Sequence, residues 1–158
     1  MNSEKNLSAS LEDYIETIYH LVQQQQVARV KDIAMKLKVQ NASVTGALQM
    51  LKKKELIHYA PYSYISLTEK GTEIAKNVIK KHSILRHFFV DVLIVDKKTA
   101  EENACRIEHF ISNEILDKLA DLTNFIKHCP KIGNVAEKLD SKSVTNCVEC
   151  NSLNKIKT

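Results

Sequence analysis

Asp13, Glu16, His82, Cys105, Glu108 and His109 are the side chains whose types and order in this chain could do chemistry. Asp13 and Glu16 stand three apart, so on a helix both carboxylates leave from one face. Cys105, Glu108 and His109 fall at i, i+3 and i+4 and share a face by the same rule, with Glu101 one turn earlier extending it. Carboxylates, imidazoles and one thiol make a mixed oxygen, nitrogen and sulfur donor set. Such a set suits a borderline divalent transition ion rather than calcium or magnesium, which prefer oxygen alone. Taken singly, each residue has a plainer use. Acids near a helix start complement the helix dipole, His82 beside Lys80 and Lys81 reads as a surface residue, and Cys105 reads as a small buried hydrophobe. Only the joint pattern argues for a metal. A second set, His128, Cys129, Cys147 and Cys150, contains a Cys-x-x-Cys. It could complete a tetrahedral zinc site or act as a redox-active thiol pair, and unliganded thiols are the alternative.

The elements that must position these residues are mostly helices. With three Gly and two Pro in 158 residues, turns that need unusual backbone angles are few and long helices are economical. Ser8 or Ser10 can cap a first helix, with Glu12 and Asp13 in its first turn. Leu11, Ile15, Ile18, Leu21 and Val22 recur along it with helical spacing. A short helix over 30–37, a tight connection at 39–41 and a third helix through SVTGALQMLKKKELI read as a helix-turn-helix. IHYAPYSYISLT then reads as a hairpin, with strands at 57–59 and 64–67 serving as a wing. A fourth helix is expected over 68–92, followed by helices at 99–112 and 114–126, which should pack on one another and on a second subunit. Beyond Pro130 the apolar periodicity fades, and NSLNKIKT reads as disordered. The expected fold is mainly α: a winged helix-turn-helix over 1–73, a helical metal-binding and dimerisation domain over 74–128, and a Cys-containing tail over 129–158.

A recognition helix needs short side chains at its N-terminal end so that its backbone can approach the major groove. Gln40, Asn41, Ala42, Ser43 and Thr45 supply them, and Gly46 keeps the low profile. Gln40 and Asn41 can bond base edges, while Ser43 and Thr45 can bond bases or phosphates. Arg29, Lys31, Lys36, Lys38 and the run Lys52, Lys53 and Lys54 concentrate positive charge in this stretch, which suits phosphate neutralisation and predicts salt-dependent binding. A lysine run at a helix end also simply complements the dipole. The net charge of +4 permits nucleic-acid binding without demanding it. With 44% hydrophobic and 27% charged residues the chain can bury a core and keep a solvated surface. It shows no secretion signal and no apolar run of about 20 residues. The expectation is therefore a cytoplasmic protein without membrane attachment, whose cysteines are thiols or ligands rather than disulfides.

SLEDYIETIYHL, ARVKDIAMKLKVQNASVTGALQMLKKKELI, LTEKG, HSIL and CRIEHFIS together resemble the DtxR/MntR family of metal-dependent transcriptional repressors, over residues 11–125. The resemblance implies a winged-helix homodimer that binds double-stranded operator DNA when loaded with Fe²⁺ or Mn²⁺. Manganese-type members place an acid pair where Asp13 and Glu16 stand, a histidine at His82, and Glu-His at Glu108 and His109. At Cys105 they generally carry glutamate, whereas iron-type members carry cysteine there together with methionine at the position of Asp13. The chain is a hybrid, and its thiolate tips the expectation toward Fe²⁺, with Mn²⁺ next. Arg86 replaces an acid of the iron-type ancillary site, so that second site is expected to be absent or altered. The chain is also too short for the SH3-like domain of longer members.

Two other classes set the boundaries of this reading. A winged-helix regulator switched by thiol redox or a small effector would not need Asp13, Glu16, His82 and Glu108 together. A carboxylate-bridged metalloenzyme needs paired Glu-x-x-His motifs. The spacing occurs only at Glu55 to His58, at the end of the recognition helix, so an enzyme is not expected.

Overall fold

The computed structural model describes residues 7–60 and 63–128, which divide into two compact units, one up to Lys80 and one from Lys81 onward. The first unit begins where Ser8 caps α1 (Ala9–Gln25), its hydroxyl accepting the Leu11 N–H at 3.4 Å. Ile15 and Ile18 are fully buried, and with Leu11, Tyr14 and Leu21 they form the inner face that the helical spacing predicts. α1 stops at Gln26, whose backbone turns left-handed at φ 65°, and α2 (Val30–Leu37) stops the same way at Lys38, φ 56°. In a chain with so few glycines, polar residues take these left-handed positions at some conformational cost.

α3 (Asn41–Lys53) starts two residues earlier than its apolar pattern does, with Gln40 as its cap residue. Val44, Leu48 and Leu51 are fully buried and join Ile33, Leu56, Ile57 and Ile65 in one core on which α1, α2 and α3 close. The helix ends at Lys53, and Glu55, left-handed at φ 60°, turns the chain into the hairpin. The wing is shorter than its sequence pattern. β1 (Ile57–His58) pairs antiparallel with β2 (Ser66–Leu67), Ile57 opposite Leu67 and His58 opposite Ser66. Ile65 is drawn away from the hairpin, donating its N–H to the Ala28 carbonyl at 3.0 Å.

Thr68 links the wing to α4 (Glu69–His87): its hydroxyl donates to the Glu55 carbonyl at 2.9 Å and accepts the Gly71 N–H at 3.1 Å. Gly71 is buried where a Cβ would collide with the Leu56 carbonyl oxygen, so glycine is required by close backbone approach. The boundary between the two units falls within α4, after Lys80.

In the second unit, the end of α4 passes into a π-helical turn, Phe88–Val92, instead of continuing as an α-helix through residue 92. Ile94 follows with φ 55°, an uncommon conformation for a β-branched residue. Asp96 then caps α5 (Lys97–Ile107), one carboxylate oxygen accepting both the Lys98 and Thr99 N–H groups at 3.0 Å. α5 ends earlier than expected, which places Glu108 at the C-cap and His109 in the turn beyond. α6 (Asn113–His128) packs on the π-helical turn, where Lys127 pairs with Asp91. Leu85, Ala104 and Leu116 form the small core, with Ile84, Phe89, Ile111 and Leu119 around it. Among the described residues, no helix is long and apolar enough to cross a membrane.

Candidate functional site

α4 and α5 bring three of the six expected ligands together within the second unit. One donor atom each of His82, Cys105 and Glu108 lies within 4.8 Å of the others. The seven-residue step from Glu101 to Glu108 keeps Glu101, Cys105 and Glu108 on one side of α5 and its cap. His82 Nδ1 lies 2.7 Å from Glu108 Oε2, and His82 Nε2 lies 3.1 Å from Glu101 Oε1. The Arg86 Nε, one turn along α4, reaches the other Glu101 oxygen at 3.0 Å. His109 Nε2 stands 3.4 Å from Glu108 Oε1.

The plainer readings of two residues do not hold. His82 is largely enclosed, its side chain only 15% exposed, and Cys105 is an exposed thiol rather than a core hydrophobe. Glu108 is fully buried, and despite the nearby His109 its Oε1 has no aligned hydrogen bond. Hydrogen bonding to Cys105 and then to Glu108 pushes the His82 pKa from 6.5 up to about 10, with the Glu108 and Glu101 charges adding to this against the cost of burial. A buried, under-bonded carboxylate oxygen beside an imidazole and a thiol is a site whose electrostatics call for a cation. A proton on His82 supplies that cation in the absence of metal. The donor types fit a divalent transition ion.

Asp13 and Glu16 belong to the first unit, half-buried on α1, where Glu16 also lies 3.5 Å from His20 Nε2. His128 is exposed on the last turn of α6 with Nδ1 2.8 Å from the Asn124 carbonyl. Cys129, Cys147 and Cys150, and with them the expected zinc or thiol site and the tail reading, lie outside the described residues.

The residues expected to meet nucleic acid belong to the first unit. Gln40, Asn41, Ala42 and Ser43 are exposed at the start of α3, and Thr45 is half-buried, its hydroxyl donating to the Asn41 carbonyl at 3.0 Å. Gly46 has open space around it. Arg29, Lys31, Lys52 and Lys53 are all exposed, the last two in the final turn of α3. The sequence reading missed Tyr64, an exposed wing residue. The Arg29 guanidinium lies 5.2 Å from its ring centroid and 3.4 Å from its hydroxyl, a cation–π contact between the α2 cap and the wing. No local pattern signals a pair 35 positions apart.

Comparison with known proteins agrees with this division. Residues 6–65 match the N-terminal DNA-binding domain of iron-dependent repressors, and residues 68–135 match the metal-binding and dimerisation domain of the same proteins. An uncharacterised HTH-type transcriptional regulator of Methanocaldococcus jannaschii is 39% identical over 114 residues, covering 72% of this chain and 91% of that protein. The HTH-type transcriptional regulator MntR of Bacillus subtilis is 36% identical over 140 residues, covering 89% and 94%. Among solved structures, the manganese regulator SloR is similar with a TM-score of 0.66 at 28% identity, covering 76% of this chain, which spans 56% of that protein's length. The chain belongs to the DtxR/MntR family of iron-dependent repressors and is a metal-dependent, DNA-binding transcriptional regulator of metal-ion homeostasis.

Proposed function

We propose that this regulator takes Fe²⁺ or Mn²⁺, with Fe²⁺ ahead, and that its ligands are His82, Cys105, Glu108 and His109 from the second unit with Asp13 and Glu16 from α1. The observation that carries this reading is the His82, Cys105 and Glu108 cluster with its under-bonded buried carboxylate oxygen. When bound, the metal supplies a double positive charge to a carboxylate-rich site. Without it, the carboxylates of Asp13, Glu16 and Glu108 repel one another, and the DNA-reading unit is held less firmly. Ligands drawn from both units therefore couple metal occupancy to operator binding.

In this reading the regulator is a cytoplasmic homodimer and represses from double-stranded operator DNA. Phe110, Phe125 and Ile115 are 81%, 57% and 52% exposed, a large apolar allowance for a soluble surface and suited to a second copy. The relatives' dimerisation domain covers the same residues. Gln40 and Asn41 read bases, Ser43 and Thr45 bond bases or phosphates, and Ala42 keeps the backbone close to the groove. Arg29, Lys31, Lys52 and Lys53 neutralise phosphates.

The test is anaerobic fluorescence anisotropy on a labelled fragment of the DNA upstream of the regulator's own coding sequence, with chelator, Fe²⁺, Mn²⁺ or Zn²⁺. Tight binding only with metal, and at lower free Fe²⁺ than Mn²⁺, is expected. Equal binding in chelator would overturn the metal switch.

A further inference from the structure

Glu101 uses both of its oxygens, and the two partners have different jobs. Oε1 lies 3.1 Å from His82 Nε2, and Oε2 lies 3.0 Å from the Arg86 Nε. His82 and Arg86 are one turn apart on α4, while Glu101 sits one turn before Cys105 on α5. The three groups therefore form a chain, Arg86 to Glu101 to His82, on the side of the imidazole away from Glu108. The other ring nitrogen, Nδ1, faces Glu108 Oε2 at 2.7 Å.

A carboxylate beside a cation site has two alternatives. It becomes a ligand, or it accepts the N–H of a ligating histidine and fixes which nitrogen faces the metal. The Glu101 side chain is 57% exposed, so packing alone does not hold its rotamer. The guanidinium does, because its fixed planar donors orient a carboxylate and offset its charge. A neutralised and oriented Glu101 is a weaker competitor for the metal and a better acceptor for the Nε2 hydrogen.

We propose that Glu101 and Arg86 are positioning residues: Arg86 holds Glu101, Glu101 holds the Nε2 hydrogen of His82, and Nδ1 is thereby left as the nitrogen that ligates the metal. This rests on His82 being a ligand, as proposed above. With Nδ1 given to the metal, the remaining hydrogen of the neutral ring sits on Nε2, in the hydrogen bond to Glu101.

The test is nitrogen-15 NMR of the imidazoles in full-length protein loaded with Zn²⁺, a diamagnetic probe, with affinities from competition against a chromophoric chelator. The wild-type protein should show His82 metallated at Nδ1 and protonated at Nε2. Arg86→Gln should bind Zn²⁺ about tenfold more weakly, within the range for partners that orient a metal ligand. It should also broaden or mix the two tautomer patterns, and Arg86→Lys should recover part of both. Metallation at Nε2 in the wild type would overturn the proposal while leaving His82 as a ligand. Unchanged His82 resonances on Zn²⁺ loading would remove both readings. An Arg86→Gln protein with wild-type affinity and a clean Nδ1 pattern would remove Arg86 from its role. The wild-type tautomer decides the first two outcomes even if the variant folds poorly.

Discussion

On the proposed ligand set, Cys105 is the residue on which metal preference turns, because it is the one thiol among groups that are otherwise imidazole and carboxylate. Cys105→Glu should lower affinity for Zn²⁺ and Fe²⁺ relative to Mn²⁺ by about tenfold or more, since carboxylate is the harder donor. Chelator competition on both proteins checks this, and an unchanged ranking would assign selectivity elsewhere. His82 sets the pH dependence. Its pKa in the folded protein, about 10, lies above the ordinary 6.5. The stabilisation of the metal-free protein is therefore fully present below about pH 6.5 and is lost as pH rises through about 10. The melting temperature of the metal-free protein should fall over that window, and His82→Gln should flatten the fall. On the proposed ligand set metal displaces the same proton, so affinity should rise about tenfold per pH unit for each proton released. Titrations at about pH 6, 7 and 8 would show this, and a flat profile would count against His82 as a ligand. That Cys105 and Glu108 share one side of α5 was legible from spacing alone. The complete burial of Glu108 was not, because burial depends on what α4 lays over the end of α5.

At the scale of elements, two glycines make opposite predictions for the same substitution. Gly71→Ala puts a methyl group against the Leu56 carbonyl, and with backbone on both sides the cost should be about 1–3 kcal/mol. Gly46→Ala meets open space within α3 and should gain about 0.5–1 kcal/mol from helix propensity. Urea unfolding of the two variants separates them. Because Gly46 lies on the exposed face of the recognition helix, its alanine variant should nevertheless bind operator more weakly. A Gly46→Ala protein both more stable and equally tight on DNA would take that face off the groove. Helix existence and facing followed from apolar periodicity throughout. The start of α5 moved to the local cap at Asp96, while the wing's boundaries moved where a long-range partner captures a backbone group. The Ala28 carbonyl taking the Ile65 N–H is one such capture.

For the whole molecule, metal affinity and DNA affinity should be separable. On the proposed coupling, Asp13→Ala should still bind Zn²⁺ through the second unit but lose most of the metal-dependent gain in operator affinity. Gel shift and chelator competition on the same protein would reveal this. Full metal stimulation in Asp13→Ala would break the link between α1 and the switch. Operator binding should also weaken steeply with salt, and Lys52→Ala should reduce the slope of log affinity against log salt by about one.

The sequence by itself determined the helical character and the helix-turn-helix and wing in their order, since each is written in local periodicity, and it placed Cys105 and Glu108 on one side of a helix by their spacing. Only the tertiary structure decided that Glu108 is sealed from water, that Glu101 is shared between Arg86 and His82, and that Arg29 stacks on Tyr64. Those depend on side chains from different elements meeting in space, and neither helical periodicity nor residue spacing encodes which nitrogen, oxygen or ring will face which partner.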